Sequence, residues 1–162
     1  KLKNVRFVMA GSGDLMPRMI LRMAELRMTD RFHFTGFLQG VNVEKMFAMS
    51  DLYVMPSVSE PFGISPFEAL LYDVPIIISR QSGVAEILNN AIKIDFWDVH
   101  KLAEMIILLL ENEEVARDVV ERSKLDIQNI GWDTAGFRLK KVYESMLGIG
   151  EVEKEPITAI SK

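Results

Sequence analysis

The sequence has no cysteine and only two histidines, His33 and His100, so disulfide frameworks and thiolate metal sites are excluded and the usual zinc-ligand spacings are missing. It also lacks any long apolar run. Met105–Leu110 is among the longest, far below the roughly 20 residues a bilayer-spanning helix needs, and the first residues do not resemble a signal peptide. A cytoplasmic location without a membrane span is the expectation. A basic excess is lacking too, the formal net charge being −4. Residues 1–40 carry seven basic and three acidic side chains, but without interleaved aromatics this asymmetry does not make a nucleic-acid surface, and nucleic acid is set aside as a partner. Arg18, Arg22 and Arg27 in that stretch read as a solvated helix face. An initiator methionine is absent as well: Lys1-Leu2-Lys3-Asn4 runs straight into a strand-like segment, which reads as part of a longer polypeptide.

What is present is the material of one globular domain. The chain has 162 residues, 49% hydrophobic and 26% charged. At this length folding buries about 68–70% of the surface of the unfolded chain, enough for a core. Short apolar or β-branched runs alternate with helical patterns: strands over Val5–Ala10, Phe32–Thr35, Leu52–Met55, Pro75–Ser79 and Ala91–Ile94, and helices over Leu15–Leu26, Val43–Met49, a segment opening at Ser65, Ala85–Leu88, Val99–Glu111 with Asp98 as N-cap, 114–129 and Asp133–Leu147. The near-continuously apolar Ile76-Ile77-Ile78 and Leu52-Tyr53-Val54-Met55 suit strands covered on both faces. The pattern predicts an α/β fold, a doubly wound parallel sheet of Rossmann-like type, over residues 1–147, with 148–162 as a flexible polar tail. Ligands of such sheets bind beyond the carboxyl ends of the strands, so the loops after Ala10, Thr35, Met55 and Ser79 are expected on one rim.

One of these loops carries the most chemistry. In Ser57-Val58-Ser59-Glu60-Pro61-Phe62-Gly63-Ile64-Ser65-Pro66-Phe67-Glu68, the residues Ser65, Pro66 and Glu68 fit N-cap, N1 and N3 of a capping box. The free N–H groups of a helix start favour an anion, and Gly63 permits close approach to the backbone, so a phosphate is the expected guest. Glu60 gains little from packing beside Pro61 and Phe62 and would repel a phosphate, whereas hydroxyl donors would suit it. Glu60 and Glu68 could therefore accept hydrogen bonds from sugar hydroxyls on either side of a diphosphate; the plainer alternatives are a solvated loop acid at Glu60 and a capping residue at Glu68. His33 reads as a surface histidine on the face opposite Phe32 and Phe34, Trp97 and Trp132 as packing anchors, and Met16, Met19, Met23 and Met28 as adaptable core filler.

The ordered set Phe7-Val8-Met9-Ala10-Gly11-Ser12-Gly13-Asp14, Phe34-Thr35-Gly36-Phe37-Leu38, Met49-Ser50-Asp51-Leu52-Tyr53-Val54-Met55-Pro56-Ser57, Ser59-Glu60-Pro61-Phe62-Gly63 with Glu68 eight residues after Glu60, Pro75-Ile76-Ile77-Ile78 and Ser82-Gly83-Val84-Ala85-Glu86-Ile87 resembles the C-terminal, donor-binding domain of the family 4 retaining glycosyltransferases. That family has the two-domain GT-B architecture and includes bacterial and archaeal glycogen synthases. The resemblance implies that Glu60 meets donor-sugar hydroxyls together with the backbone of Phe62, Gly63 and Ile64. It implies that Ile64 and Ser65 meet phosphate, that Glu68 meets the ribose, and that Gly36, Phe37 and Leu38 lie against the base. Gly11 and Gly13 resemble the family's glycine turn and are given a rim role; the Rossmann fingerprint fails at its third glycine, where Met16 stands.

The substrate implied is a nucleoside-diphosphate sugar such as a UDP-, ADP- or GDP-sugar, with no cofactor and no metal, and the partner implied is a carbohydrate acceptor held by an N-terminal domain absent from these residues. The arginine and lysine that family members place upstream, against the leaving diphosphate, have no counterpart here, so no catalytic residue is assigned and the chain alone is expected to be inactive. Glycosyl transfer with retention, with a lean toward α-glucan synthesis, is the function implied. The other readings are a non-catalytic nucleotide-binding or interaction module and a GT-B sugar-nucleotide epimerase. A glycosidase pair is disfavoured, because it needs an acid and a nucleophile facing one bond.

Overall fold

The computed structural model describes residues 4–128 and 130–149. The tail expectation falls mainly on residues 150–162 and lies outside the described residues. Five strands alternate with helices: β1 (Phe7–Ala10), α1 (Met16–Glu25), β2 (Phe32–Gly36), α2 (Val41–Ala48), β3 (Tyr53–Met55), α3 (Ser65–Leu71), β4 (Ile76–Ser79), a 3-10 turn at Gly83–Glu86, β5 (Ile92–Ile94), then α4 (Val99–Glu111), α5 (Glu113–Ile127) and α6 (Trp132–Leu147). All strand pairs are parallel, as helical crossovers require.

The strands pair as two sheets. β1 pairs with β2, and β4 lies between β3 and β5. Among the described residues no hydrogen bond joins β1 to β3, so each ends its sheet on an open edge. The sequence reading of one continuous sheet thus becomes a pair and a triplet.

The core belongs to the triplet. All four residues of β4 are buried, and its alternation sorts them onto two faces. Ile76 and Ile78 meet Ala69 and Leu70 of α3, Phe47 of α2 and Val120 of α5, while Ile77 meets Ile94, Leu109 of α4 and Val119. Helices therefore cover both faces, which is why β4 reads as an unbroken apolar run. Removing a residue such as Ile77 from water contributes about 1.5–3 kcal/mol.

The ends of these helices explain their lengths. Asp98 caps α4 by accepting the Lys101 N–H at 2.8 Å, as the sequence predicts. α3 stops at a Schellman turn: Val74 N–H donates to Ala69 C=O, and Asp73 N–H to Leu70 C=O. Asp73 stands at φ 59°, where glycine is usual, and its carboxylate pairs with Lys124 at 2.6 Å.

The β1–α1–β2 unit differs. Phe7 and Phe32 stack at 5.4 Å, yet none of its residues is buried, and α1 leaves Met19, Ile20 and Leu21 exposed. The methionines read as core filler are half-buried or exposed in the structure, and none is buried. Trp132 is 93% exposed and Trp97 62%. Neither is a packing anchor: Trp97 meets Phe96 edge-on at 4.8 Å, and α6 has no buried residue. His33 is exposed between half-buried Phe32 and Phe34, matching the strand alternation.

Candidate functional site

The loop from Pro56 to Ile64 leaves the carboxyl end of β3 and enters α3, and the segment after Ser79 leaves the same end of the neighbouring β4. Parallel pairing thus brings two of the expected rim loops together. Gly83 N–H donates to the Glu60 C=O at 2.8 Å, tying the two directly. The other two rim loops also meet, Gly11 N–H donating to Gly36 C=O at 2.8 Å, but on the separate β1–β2 pair. Gly11 and Gly36 have φ of 131° and 70°, values that a side chain rarely adopts, so glycine fits both turns. Phe37 is 70% exposed beside them, Leu38 is half-buried and Gly13 is exposed.

α3 begins differently from the capping-box expectation. Ile64 occupies the N-cap place, its C=O accepting from Phe67 N–H at 3.0 Å and from Glu68 N–H at 3.1 Å. Ser65 is therefore the first helical residue, and no side chain caps the helix. The side chains of this segment bear on Tyr53 of β3. Burial pushes its phenol above the usual tyrosine range, a hydrogen bond with the Ser65 side chain opposes this, and the carboxylates of Glu68 and Glu60 push it further up. Ser65, Glu68 and Glu60 thus all influence one phenol, and none of them caps the helix. Glu60, Ser65 and Glu68 are each half-buried.

The backbone between the two glutamates is open to a ligand. Among the described residues, the N–H groups of Phe62, Gly63, Ile64 and Ser65 have no hydrogen-bond acceptor in the protein. Gly63 turns with φ 81°, and a Cβ there would lie 3.1 Å from Glu60 Cγ and 3.2 Å from Met55 Cε. Phe62 stacks on Phe67 at 5.4 Å, while the Ile64 side chain is 63% exposed. Four consecutive donors between two carboxylates can take an oxyanion and a polyol together.

Tyr53 is the site member that motif reading passes over, since it sits within an apolar strand and only its electrostatic link to Glu60 and Glu68 reveals it. A shallow cleft of about 240 Å³ lies alongside, formed by Arg80, Gln81, Ser82, Gly83 and Lys93 among others, and shares only Gly83 with the contacts just described. No cluster of three or more His, Cys, Asp or Glu side chains that could hold a metal exists among the described residues, and no described helix is long and apolar enough to cross a membrane.

Parallel strands covered by helices on both faces, with carboxylates and free amides at the strand ends, define a Rossmann-like α/β domain. Residues 1–126 match the family model for glycosyl transferases group 1, and the chain belongs to that family. It is 28% identical over 146 residues to a glycosyltransferase of Methanocaldococcus jannaschii, covering 87% of this chain and 37% of the relative. It is 28% identical over 130 residues to the 2-deoxystreptamine N-acetyl-D-glucosaminyltransferase of Niallia circulans, covering 78% and 33%. The chain therefore spans about a third of the length of these two relatives. Among solved structures, HepE of Anabaena in complex with UDP superposes with a TM-score of 0.77 at 19% identity, covering 89% of this chain and 42% of that one, a likeness of fold. The family match bears out the resemblance to the C-terminal domain of these enzymes.

Proposed function

We propose that the loop Glu60–Ser65 and the start of α3 bind a nucleoside-diphosphate sugar as the donor half of a retaining glycosyltransferase of the family 4 type. Glu60 accepts hydrogen bonds from the donor sugar, the amides of Phe62, Gly63 and Ile64 hold the sugar and its diphosphate, Ser65 meets a phosphate oxygen, and Glu68 holds the ribose. Gly36, Phe37 and Leu38 take the base, with Gly11 and Gly13 at the rim. The observation that carries this reading is the row of four unpaired amides between two carboxylates. The donor is substrate, not cofactor, and the reading involves no metal. Its class is supported by the family and by the relatives' names, which include a sugar transferase, and by the fold shared with a protein solved with UDP.

The glycosyl group passes to a carbohydrate acceptor, and α-glucan synthesis is the member of this class that the Ser59–Gly63 segment resembles. We assign acceptor binding and neutralisation of the leaving diphosphate to parts of the enzyme outside residues 1–162, so that these residues alone bind donor without turnover, in the cytoplasm. One further parallel strand between the open edges of β1 and β3 belongs to the same reading, since it would restore the strand order 3-2-1-4-5-6 of doubly wound folds.

Ligand-observed NMR with UDP, ADP, GDP and their glucose conjugates tests the site. One nucleotide is expected to bind, Glu68→Ala to abolish its binding, and Glu60→Ala to remove only the extra affinity contributed by the sugar. Equal binding to wild type and both variants would sink the assignment.

A further inference from the structure

We propose that Gly83 is a positioning residue for Glu60, holding the sugar-side carboxylate in place through the backbone; the proposal rests on the donor-site reading above. Gly83 lies outside the Glu60–Glu68 loop, at the start of the 3-10 turn after β4. A Cβ on Gly83 would fall within the van der Waals envelope of the Pro61 carbonyl oxygen, 2.8 Å from the Pro61 carbonyl carbon and 3.4 Å from Phe62 Cα. All of these are backbone atoms, which cannot swing aside as a side chain can. The same residue donates its N–H to the Glu60 C=O at 2.8 Å. Glu60, Pro61 and Phe62 are thus seated on Gly83 by one hydrogen bond and by a fit that admits no side chain.

The seat is itself rigid. Ser79 is fully buried at the end of β4, its hydroxyl donating to Gln81 Oε1 at 2.9 Å. Ser82 is also buried, and its hydroxyl donates to the Ser79 C=O at 2.6 Å. Gln81 Nε2 donates to Asp95 Oδ1 at 2.7 Å, which ties the turn to the end of β5. Buried polar groups satisfied in this way fix one arrangement of the turn. The position of Glu60 is therefore inherited in part from the core strand β4, through Gly83.

The test compares Gly83→Ala, Glu60→Ala and the double variant, with amide NMR spectra and thermal melts as controls for folding and UDP-glucose, ADP-glucose, GDP-glucose and the free nucleotides as probes. In Gly83→Ala the amide signals of Glu60 and Phe62 are expected to move, while those of Ile64 and Ser65, on the phosphate side, and of Ile76–Ser79 stay. Affinity for the sugar nucleotide should fall by the same factor as in Glu60→Ala, within about twofold, with affinity for the nucleotide alone unchanged. Added to Glu60→Ala, Gly83→Ala should cost nothing more. Stationary loop signals, or losses that multiply in the double variant, overturn the proposal. Should Gly83→Ala fail to fold, hydrogen exchange of the wild type decides: a Gly83 amide as slow as those of β4 supports the seat, and free exchange overturns it. If wild type binds no sugar nucleotide, the donor reading fails, while the loop signals still settle whether Gly83 positions Glu60.

Discussion

Glu60 and Glu68 come from different local structures and meet at a third residue. Glu60 sits on a loop and Glu68 in the first turn of α3, and both push the Tyr53 phenol up electrostatically. Their spacing in the chain marks them as a pair, whereas their link to the Tyr53 phenol becomes visible only in the folded structure. The raised pKa of Tyr53 has a consequence for stability. A phenol that keeps its proton longer folded than unfolded stabilises the fold below about pH 10, the unfolded value, and loses that contribution as pH rises further. Urea unfolding followed from about pH 9 to about pH 11 should show stability falling in wild type and falling less in Tyr53→Phe. Equal slopes would remove Tyr53 from the electrostatics of the site.

At the scale of elements, the helix starts separate two kinds of signal. Asp98 caps α4 as its spacing implies, because the local sequence decides a local hydrogen bond. Ser65-Pro66-Phe67-Glu68 has the same kind of signature, yet the box does not form, because the helix begins one residue earlier with Ile64 in the N-cap place. The two contributions to α4 and β4 differ in size accordingly. Asp98→Ala should cost about 1 kcal/mol, one cap bond. Ile77→Ala should cost about 2–5 kcal/mol, because the fully buried side chain leaves a cavity between β5, α4 and α5. Chemical denaturation of the two variants against wild type measures both, and a larger loss from Asp98→Ala would contradict the placement of the core.

Across the whole molecule, stability is unevenly distributed. The buried residues lie between Phe47 and Ser123, whereas the β1–α1–β2 unit has none among the described residues and pairs only within itself. Hydrogen exchange should therefore release the amides of Phe7–Ala10 and Phe32–Gly36 well before those of Ile76–Ser79. Simultaneous release would show that the two sheets are one cooperative body. The consequence for the site is a division: Glu60, Ser65 and Glu68 stand on the stable triplet, and Gly11, Gly36 and Phe37 on the more exposed pair.

By itself the sequence determined what depends on neighbours along the chain. Alternating apolar runs and helical periods place all five strands and six helices, Asp98 announces its helix, and the Glu60 to Glu68 motif carries the family. Only the tertiary structure decided what depends on residues brought from afar. Trp97 and Trp132 are exposed, Ile64 takes the N-cap place expected of Ser65, and the strands divide into a pair and a triplet. The seat that Gly83 offers to Glu60 belongs to this second kind, for it is a contact between two loops that the pairing of β3 with β4 brings side by side. Local hydrogen bonds and periodic burial are written within a few residues, while the filling of space between elements is a property of the assembled fold.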